Sequence, residues 1–308
     1  VVKMREGVGN AYAGKTVTFD ILLRATQGAS EKDGFGNDQY DAAATLPTAV
    51  SSPDEFTAAM TAGGVVELAQ DVVLDGQMTI GADTVLDLNG HALTLANGTQ
   101  SLKAASGTTL TIEGNGTISG VVYADNNGTV VIDVGNDFAI NAASNNGWAV
   151  YGAMGSSIVI NGGTYTATQK GAGVIYTLGA TLTVRNATVN VGAATVMNSA
   201  GVYSNASSTT LENVTVNAGY SIAVDLKKAS GSAVIRGGQF VTDKEADGFS
   251  TIRYQGTLDI SDASITRVNT GIKFSRSYPA PTEVEGLTYA NLVFTSVANA
   301  KGNDIDYR

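Results

Sequence analysis

Residues 181–189 read Thr181-Leu182-Thr183-Val184-Arg185-Asn186-Ala187-Thr188-Val189 and contain the unit that decides the fold. Polar and apolar residues alternate as far as Val184, a pattern that indicates a strand with one buried face. Asn186 follows two residues later, and its short polar side chain lets it enter the left-handed region at low cost. Val189 then begins a second apolar stretch. The segment therefore predicts a strand, a sharp corner and another strand.

The same unit recurs nine times along the chain. Each copy has a large apolar anchor, and a Gly, Asn or Asp stands two residues after it. The anchors, which lie 22 to 27 residues apart, are Leu88, Ile112, Val134, Ile160, Val184, Leu211, Ile235, Ile260 and Val284. The predicted corners are Gly90, Gly114, Asn136, Gly162, Asn186, Asn213, Gly237, Asp262 and Gly286. Because these residue types adopt a positive φ more easily than others, we expect a left-handed corner in every repeat.

The repeat length indicates how the chain folds. A unit of about 24 residues cannot bury its apolar side alone and becomes stable only by stacking on its neighbours. We therefore predict an all-β chain that forms a right-handed parallel β-helix, a solenoid of about nine to ten coils. A leucine-rich repeat, the alternative at this period, requires a helical stretch in each unit, and the repeats contain none.

The region ahead of the repeats predicts a cap and a domain boundary. Ser52 and Pro53 are typical of a helix start, and Gly63 ends the helical pattern, so a short helix is expected to cover the first coil. The β-helix with its cap is assigned to residues 52–308. The Gly- and Asp-rich stretch 28–51 is predicted to be a linker. Residues 1–27, with one alternating stretch, are assigned to the C-terminal strands of an upstream β-sandwich-like domain.

Composition excludes several classes of function. The net charge of −10 disfavours nucleic acid as a partner. With no Cys there are no disulfides and no thiolate sites, and His91 as the only histidine excludes a metal site built from several histidines. We expect no cofactor and no metal. We also expect no membrane insertion in this segment, because no apolar run approaches the length of about 20 residues that a membrane-spanning helix needs. The first residue is Val1 rather than Met, so an export signal is expected upstream.

A second series of residues predicts an aromatic ladder. Triplets such as Ile252-Arg253-Tyr254 and Ile272-Lys273-Phe274 recur about once per coil. If the middle residue faces water, its neighbours face inward. The expected internal stack then consists of Tyr151, Tyr176, Tyr203, Tyr254 and Phe274. The alternative is an outward aromatic strip on which sugars stack.

The late coils contain a basic patch. Between residues 227 and 276 lie 8 of the 18 Lys and Arg residues. The candidate binding residues, which recur about one coil apart, are Lys228, Arg253, Lys273 and Arg276. A solvated outer face, a site for an acidic glycan or protein partner, and a catalytic cleft are the three interpretations. We name no catalytic residue.

Two stretches of the chain resemble known families. The segment from Val65 to Leu74, followed by Leu86-Asp87-Leu88-Asn89-Gly90-His91, resembles the first coils of β-helix modules in large surface proteins of Gram-positive bacteria, and this resemblance covers residues 52–308. The segment from Val17 to Gln27 is similar to the closing strand of camelysin/TasA-like domains, jelly-roll proteins of secreted biofilm matrix fibres. Together the resemblances imply export and a matrix or cell-surface setting.

These observations lead to one expected function and two alternatives. The expected function is that of a non-catalytic extracellular surface or matrix protein, a rigid spacer or adhesin whose partner is a glycan or a host or cell-surface protein. The first alternative is a polysaccharide-active enzyme similar to pectate lyases or glycoside hydrolases. The second is a fibre-forming subunit of a biofilm matrix.

Overall fold

The computed structural model describes residues 47–144, 146–169, 173–192, 200–244, 250–275 and 286–306. These residues form a parallel β-helix, which confirms the predicted fold class. One α-helix and one 3-10 turn, Ala96–Gly98, accompany the strands in the described ranges. The predicted upstream strand and most of the predicted linker lie outside the described residues, and so does Arg276.

Every coil contributes a short strand to each of three parallel sheets, named here A, B and C. Sheet A contains β1 Thr48–Val50, β2 Gly64–Leu68, β5 Thr84–Asp87, β8 Thr109–Glu113, β11 Thr129–Asp133, β14 Ser157–Asn161, β17 Thr181–Arg185, β20 Ser208–Glu212, β23 Ser232–Arg236, β26 Thr257–Ser261 and β29 Leu287–Ala290. Sheet B contains β3 Val72–Leu74, β6 Ala92–Leu95, β9 Gly116–Ser119, β12 Phe138–Ala142, β15 Thr164–Ala167, β18 Thr188–Val191, β21 Thr215–Asn217, β24 Gln239–Val241, β27 Ser264–Arg267 and β30 Val293–Ser296. Sheet C contains β4 Met78–Ile80, β7 Ser101–Ala104, β10 Val121–Ala124, β13 Val150–Gly152, β16 Ile175–Thr177, β19 Ala200–Ser204, β22 Ile222–Leu226, β25 Ile252–Tyr254, β28 Ile272–Phe274 and β31 Ile305–Asp306.

The core is a set of aliphatic columns that run along the solenoid. In sheet A the alternation of polar and apolar residues places every second side chain inside. One fully buried column, in which each residue pairs with the next, consists of Leu86, Ile112, Ile132, Ile160, Val184, Leu211, Ile235 and Ile260. Burial of the same residue type on every rung fixes the register, because a one-residue slip would turn the whole set outward.

A positive φ is present at eight of the nine predicted corners, all except Asn136, and six of these eight residues lie two residues after the buried anchor of sheet A. These six, with φ between 52° and 87°, are Gly114, Gly162, Asn186, Asn213, Gly237 and Asp262. The Asn side chains also bond along the column, since Asn213 Nδ2 donates to Asn186 Oδ1 at 3.5 Å. A Cβ at Gly162 would lie 2.1 Å from the Val134 carbonyl oxygen, so this corner requires glycine for space as well as for φ.

At Gly90 and Asn136 the anchor was placed two residues too late, although Gly90 has the predicted left-handed φ of 83°. In the first case Leu86 rather than Leu88 pairs with Ile112, and the left-handed residues Asn89 and Gly90 come after the corner column. In the second case Ile132 rather than Val134 pairs with Ile112. Asn136 lies in a turn and does not have a positive φ. Both coils satisfy the apolar pattern in two registers, and burial of the aliphatic column decides between them.

The last corner was also misplaced. Val284 lies outside the described residues, and Tyr289 is the residue that pairs with Ile260. Asn291, two residues after Tyr289, has the left-handed φ of 51°, whereas Gly286 lies in the turn before β29. The repeat therefore continues across the longer connection between β28 and β29.

The capping helix α1 spans Pro53–Ala62, as predicted. Ser52 is its N-cap, and the Glu55 backbone N–H donates to Ser52 Oγ at 3.3 Å. Phe56 and Met60 are fully buried in the core of the first coils. The strand β1 lies ahead of the helix, within the range predicted as linker, and pairs with β2. The eleven strands of sheet A therefore exceed the nine repeats found in the sequence, because β1 and β2 precede the first anchor.

Candidate functional site

One column of residues on the outer face of sheet C contains two of the four candidate binding residues, Arg253 and Lys273. It is called the outer column here, and its members pair in register from β7 to β31. They are Lys103, Tyr123, Tyr151, Tyr176, Tyr203, Asp225, Arg253, Lys273 and Asp306. Their neighbours in each strand, such as Val122 and Val224, are fully buried in the core. Because side chains alternate along a strand, the outer column points away from the core.

The prediction of a single internal aromatic stack is wrong for Tyr151, Tyr176 and Tyr203. The repeat of the triplets gave Tyr176 the same position as Tyr254. In the structure Tyr176 pairs with Tyr203, and the residue in the same column two rungs after Tyr203 is Arg253 rather than Tyr254. Tyr254 lies one residue later in its strand and is therefore buried inside with Phe274. A shift of one residue exchanges the two faces of a strand, and the alignment contained such a shift.

The four stacked tyrosines, called the tyrosine ladder here, are Tyr123, Tyr151, Tyr176 and Tyr203. Successive ring centroids lie 4.6, 5.6 and 4.4 Å apart. The last two ring pairs are nearly parallel, with interplanar angles of 4° and 6°. In such a stack each ring covers the faces of its neighbours, so the ladder presents ring edges and hydroxyl groups to its surroundings.

Charged groups cover both ends of the ladder. At the first end the Lys103 ammonium lies 4.9 Å from the Tyr123 ring centroid and 2.9 Å from an Asp125 carboxylate oxygen. Lys103 also lowers the pKa of Asp125 through this hydrogen bond. At the other end Tyr203 is followed on the next rung by Asp225. The faces of the terminal rings are thus no more available to a ligand than those of the inner rings.

Trp148 lies beside the ladder in the connection between β12 and β13. Its ring centroid is 4.1 Å from that of Tyr151 and 5.7 Å from that of Tyr176, so the indole extends over two rungs. The side chain is partly exposed. Trp148 Nε1 is buried, and among the described residues no group accepts a hydrogen bond from it.

Burial raises the pKa of every tyrosine in the ladder. For Tyr176 the largest cause is desolvation, and the neighbouring phenol of Tyr203 adds to it. For Tyr203 desolvation is again the largest cause, followed by the charge of Asp225. Burial is also the largest cause for Tyr123 and Tyr151; the charge of Asp125 comes next for Tyr123, and the neighbouring phenols of Tyr123 and Tyr176 come next for Tyr151. All four phenols are therefore hydrogen-bonding groups that stay uncharged at neutral pH.

The second half of the outer column is a ladder of ion pairs. Asp225 is 3% exposed, and Arg253 Nε donates to its Oδ1 at 2.9 Å. A second bond, from Arg253 Nη2 to Asp225 Oδ2 at 2.5 Å, makes the pair bidentate. This pairing raises the pKa of Arg253. Lys227 Nζ lies 3.8 Å from the same carboxylate.

The predicted basic patch is therefore brought together only in part. Arg253 and Lys273 are neighbours in the outer column, and each has a carboxylate partner, since Lys273 Nζ lies 3.5 Å from Asp306. Lys228 is in the turn after β22 and lines a small surface cleft with Ser204 and Thr209. Two of the four candidate cations, Arg253 and Lys273, therefore pair with carboxylates of the chain itself.

The connections that border sheet C differ most in length. Between sheets A and B, most coils turn in two residues, for example 186–187 and 213–214. Between sheets B and C, the connections range from residue 120 alone to residues 242–251. Variable loops on a regular scaffold are the usual location of binding residues, and Trp148 lies in one of them.

Acidic residues form a column along sheet A, at or near the ends of the strands β2, β5, β8 and β11. Glu67, Asp87, Glu113 and Asp133 stand opposite one another on successive rungs. Burial, and then the charges of Asp87 and Asp133, raise the pKa of Glu113. Among the residues that the structure describes, no three His, Cys, Asp or Glu side chains are grouped so that they could hold a metal ion.

Comparison with known proteins gives no relative. No family model matches the chain, and no curated protein or solved structure matches it. Within the described ranges no helix is long and apolar enough to cross a membrane.

Sequence reasoning missed the tyrosine ladder and Trp148 as one cluster. The signal was present, because an aliphatic residue precedes each tyrosine, as in Val122-Tyr123, Val150-Tyr151, Ile175-Tyr176 and Val202-Tyr203. Aligning these pairs would have placed the tyrosines in the outward position of the strand. Trp148 follows no repeat, so its position beside the ladder depends on the connection that holds it.

Proposed function

We propose that this chain is a non-catalytic extracellular surface or matrix module, a rigid spacer with an adhesive outer face. The observation that supports this is the uninterrupted register of its three sheets. Eleven strands in sheet A, about 4.8 Å apart, give a sheet roughly 50 Å long. Each rung contacts only its neighbours, so the length of the rod follows from the number of repeats.

The pairing of charges also supports a non-catalytic role. A proton acceptor or a transition-state cation of the pectate-lyase type needs a basic side chain directed at the substrate. In the outer column Arg253 is held by Asp225, and Lys273 by Asp306. The extracellular setting is a further part of the proposal and rests on the resemblance of residues 52–308 to surface modules of Gram-positive bacteria.

Two measurements test the proposal. Small-angle scattering of residues 45–308 is expected to give the profile of a stiff rod, and incubation with pectin and a panel of glycans is expected to release no sugar. Release of reducing ends that is lost in Lys228→Ala, Lys273→Ala or Arg253→Lys, with the melting curve unchanged, would contradict the proposal. It would instead favour a polysaccharide-active enzyme.

A further inference from the structure

We propose that Tyr176 and Tyr203 form a site of oxidative cross-linking, at which a one-electron oxidant of the haem peroxidase and hydrogen peroxide class joins the two rings as dityrosine. The product links β16 to β19 covalently. This inference goes beyond the proposed function and does not depend on it, because it concerns a modification of the chain rather than a ligand of its outer face.

The tyrosine ladder consists of two close pairs rather than four equal steps. The ring centroids lie 4.4 Å apart in the pair of Tyr176 and Tyr203, and 4.6 Å apart in the pair of Tyr123 and Tyr151. In each pair the two hydroxyl groups are hydrogen-bonded to each other. Between the pairs, from Tyr151 to Tyr176, the centroid distance is 5.6 Å. Coupling of two rings requires close contact, so the candidate positions for a cross-link lie within the pairs.

The pair of Tyr176 and Tyr203 brings like atoms of the two rings together. The residues are direct partners in the register of β16 and β19, so the two rings start from neighbouring points on adjacent strands. The bond between the hydroxyl groups holds the far ends of the rings together, and the interplanar angle is 6°. The ring carbons next to the two hydroxyl groups therefore face one another. These are the carbons that join in dityrosine, and a tilt of the rings brings them to bonding distance.

Access to solvent favours this pair over the other. The side chains of Tyr176 and Tyr203 are both partly exposed, whereas Tyr151 is only 9% exposed. Oxidation of a phenol releases its hydroxyl proton, and a partly exposed phenol can release it to water. Both members of the first pair meet this condition, and one member of the second does not.

Nearby charges favour the same pair. The Lys103 ammonium lies 4.9 Å from the Tyr123 ring centroid, and a positive charge opposes the removal of an electron from that ring. Tyr203 instead has Asp225 on the next rung, and the charge of this carboxylate, after burial, raises the pKa of Tyr203. A negative charge at this distance makes the loss of an electron from the ring easier.

Other oxidisable side chains do not compete for this step. The chain has no Cys, so no thiol reacts first. Met154 is 68% exposed, but its thioether takes up oxygen in a two-electron step and forms no carbon–carbon bond. The Trp148 ring centroid lies 5.7 Å from that of Tyr176, so an oxidised indole is close enough to take an electron from the ladder. Oxidation of Trp148 therefore leads to the tyrosines as well.

The reaction balances with hydrogen peroxide as the oxidant. Each of the two phenols loses one electron and its hydroxyl proton, which gives a phenoxyl radical. The radicals couple through the ring carbons next to the oxygens, and the hydrogens on those carbons then move to the oxygens as protons and restore both hydroxyl groups. The two electrons and two protons that were released reduce one peroxide molecule to two molecules of water. The product lacks two hydrogen atoms and keeps every other atom of the chain.

The cross-link closes a loop of one coil. A covalent loop restricts the unfolded chain and so favours the folded state, as a disulfide does. This chain has no Cys and therefore no disulfide with which to join successive coils. Dityrosine between β16 and β19 has that stabilising effect in the middle of the solenoid.

The test treats the full chain, in dilute solution, with a haem peroxidase and a limiting amount of hydrogen peroxide, and isolates the monomer under denaturing conditions. We expect the monomer to show the blue fluorescence of dityrosine and a mass lower by two hydrogen atoms. Proteolysis and mass spectrometry are expected to give peptides linked through Tyr176 and Tyr203 as the main cross-linked product. The linked monomer should unfold at a higher urea concentration than the untreated chain.

Two variants and one condition show whether the geometry is responsible. Tyr203→Phe keeps a ring in the stack but forms no phenoxyl radical, so most of the dityrosine fluorescence of the monomer should be lost. Tyr220→Phe is the matched control, because Tyr220 is an exposed tyrosine that contacts Lys244 rather than the ladder. Its dityrosine fluorescence should equal that of the wild type. In urea, where the two rings are no longer held together, the link between Tyr176 and Tyr203 should cease to be the main product.

Four results would overturn the inference. Dityrosine could form only between chains, or the main link within the chain could join tyrosines outside this pair. Tyr203→Phe could leave the dityrosine fluorescence of the monomer unchanged. The link between Tyr176 and Tyr203 could form as readily in the urea-unfolded chain, which would show that the stacked geometry does not direct it.

Discussion

The outer column of sheet C has two halves that differ in the chemistry of their side chains. From β10 to β19 it consists of stacked tyrosines, and from β22 to β31 of two adjacent bases, Arg253 and Lys273, between the acids Asp225 and Asp306. The buried column beside it does not change at this junction, and it reads Val122, Val150, Ile175, Val202, Val224, Ile252 and Ile272. The buried residues are therefore of the same kind in both halves and do not determine which residue type lies on the outer face.

Because their side chains differ, the two halves should also differ in how much a single substitution changes the free energy of unfolding. Stacked phenols lose little by burial, because the ring is apolar and the hydroxyl finds a neighbour. A buried carboxylate requires its partner, since removing that partner leaves a charge without solvation. The ion-pair half should therefore be the more sensitive to a single substitution, and the tyrosine half the more tolerant.

The largest expected effect is that of Arg253→Ala. The Asp225 side chain is 4% exposed and would lose both of its bonds from Arg253, keeping only Lys227 at 3.8 Å. We expect the free energy of unfolding to fall by about 3 kcal/mol, as for other broken buried ion pairs. Urea denaturation followed by circular dichroism measures this change.

Arg185→Ala is the matched control for that experiment. Arg185 pairs with Glu212 on the next rung at 2.6 Å, but the two side chains are 42% and 38% exposed. Its loss should cost no more than about 1 kcal/mol, because solvent screens an exposed pair. Equal effects of the two substitutions would show that burial of Asp225 is not what distinguishes this half of the column.

The next effect in size is that of Tyr176→Ala in the middle of the tyrosine half. The substitution removes two stacking contacts, at 5.6 and 4.4 Å, together with half-buried apolar surface. We expect a loss of about 2 kcal/mol in the free energy of unfolding. Tyr176→Phe keeps the ring and should lose less than about 0.5 kcal/mol. If Phe and Ala destabilise equally, the hydroxyls rather than the stacked rings hold this half together.

The sequence predicted the β-helix and its cap because both depend on local patterns. Polar-apolar alternation, a corner residue such as Asn186 and the N-cap Ser52 can each be recognised within a few residues. It did not predict which face Tyr176 occupies, because that depends on a register of one residue between coils of unequal length. The buried aliphatic column, with Val202 beside Tyr203, would have fixed this register, but the alignment was made on the aromatic residues.

The candidate site was less predictable than the fold for a related reason. Arg253 and Lys273 were correctly placed near one another by their spacing. The partner of Lys273, Asp306, lies one rung away in the last partial coil and was not recognised as part of the site. Trp148 lies in a connection of irregular length, and its contact with Tyr151 follows from no repeat in the sequence. Pairs between rungs and contacts made by loops are what single-sequence patterns miss.

Alkaline pH should lower the stability of the tyrosine half selectively, and by less than the substitution Tyr176→Ala does. Burial raises the pKa of Tyr151 and Tyr176 above the ordinary 10.0. A group whose folded pKa is raised adds stability that is fully present below its unfolded pKa and is lost as the pH rises through the folded value. Stability is therefore expected to decrease above pH 10.0, and urea titrations from neutral to strongly alkaline pH measure it. The pKa of Arg253 is raised as well, so its guanidinium keeps its charge over this range.

Tyr176→Phe is the variant that tests the assignment of this pH dependence. Removing one titrating phenol should make the decline in stability above pH 10.0 shallower, whereas Arg185→Ala should leave its slope unchanged. An identical slope in wild type and Tyr176→Phe would place the alkaline sensitivity outside the tyrosine ladder.

The smallest expected effect comes from the acidic column of sheet A, in which like charges stand opposite one another on successive rungs. The pKa of Glu113 is raised by burial and by Asp87 and Asp133, so its ionised form is disfavoured in the folded chain. The stability that Glu113 adds is present below its ordinary pKa of 4.5 and is lost as the pH rises through the raised value. Glu113→Gln is therefore expected to raise the melting temperature slightly at pH 7 and to have no effect near pH 3.

The control is Glu212→Gln, because Glu212 has Arg185 as its partner. That substitution should lower the melting temperature at pH 7 rather than raise it, since a charge pair is lost instead of a repulsion. If Glu113→Gln were destabilising at pH 7, the acids of sheet A would have to be compensated by a cation bound from solution. The acidic column of sheet A and the ion-pair half of the outer column would then follow one rule, in which each acid has a cation as its partner, whereas the tyrosine ladder contains no charged group.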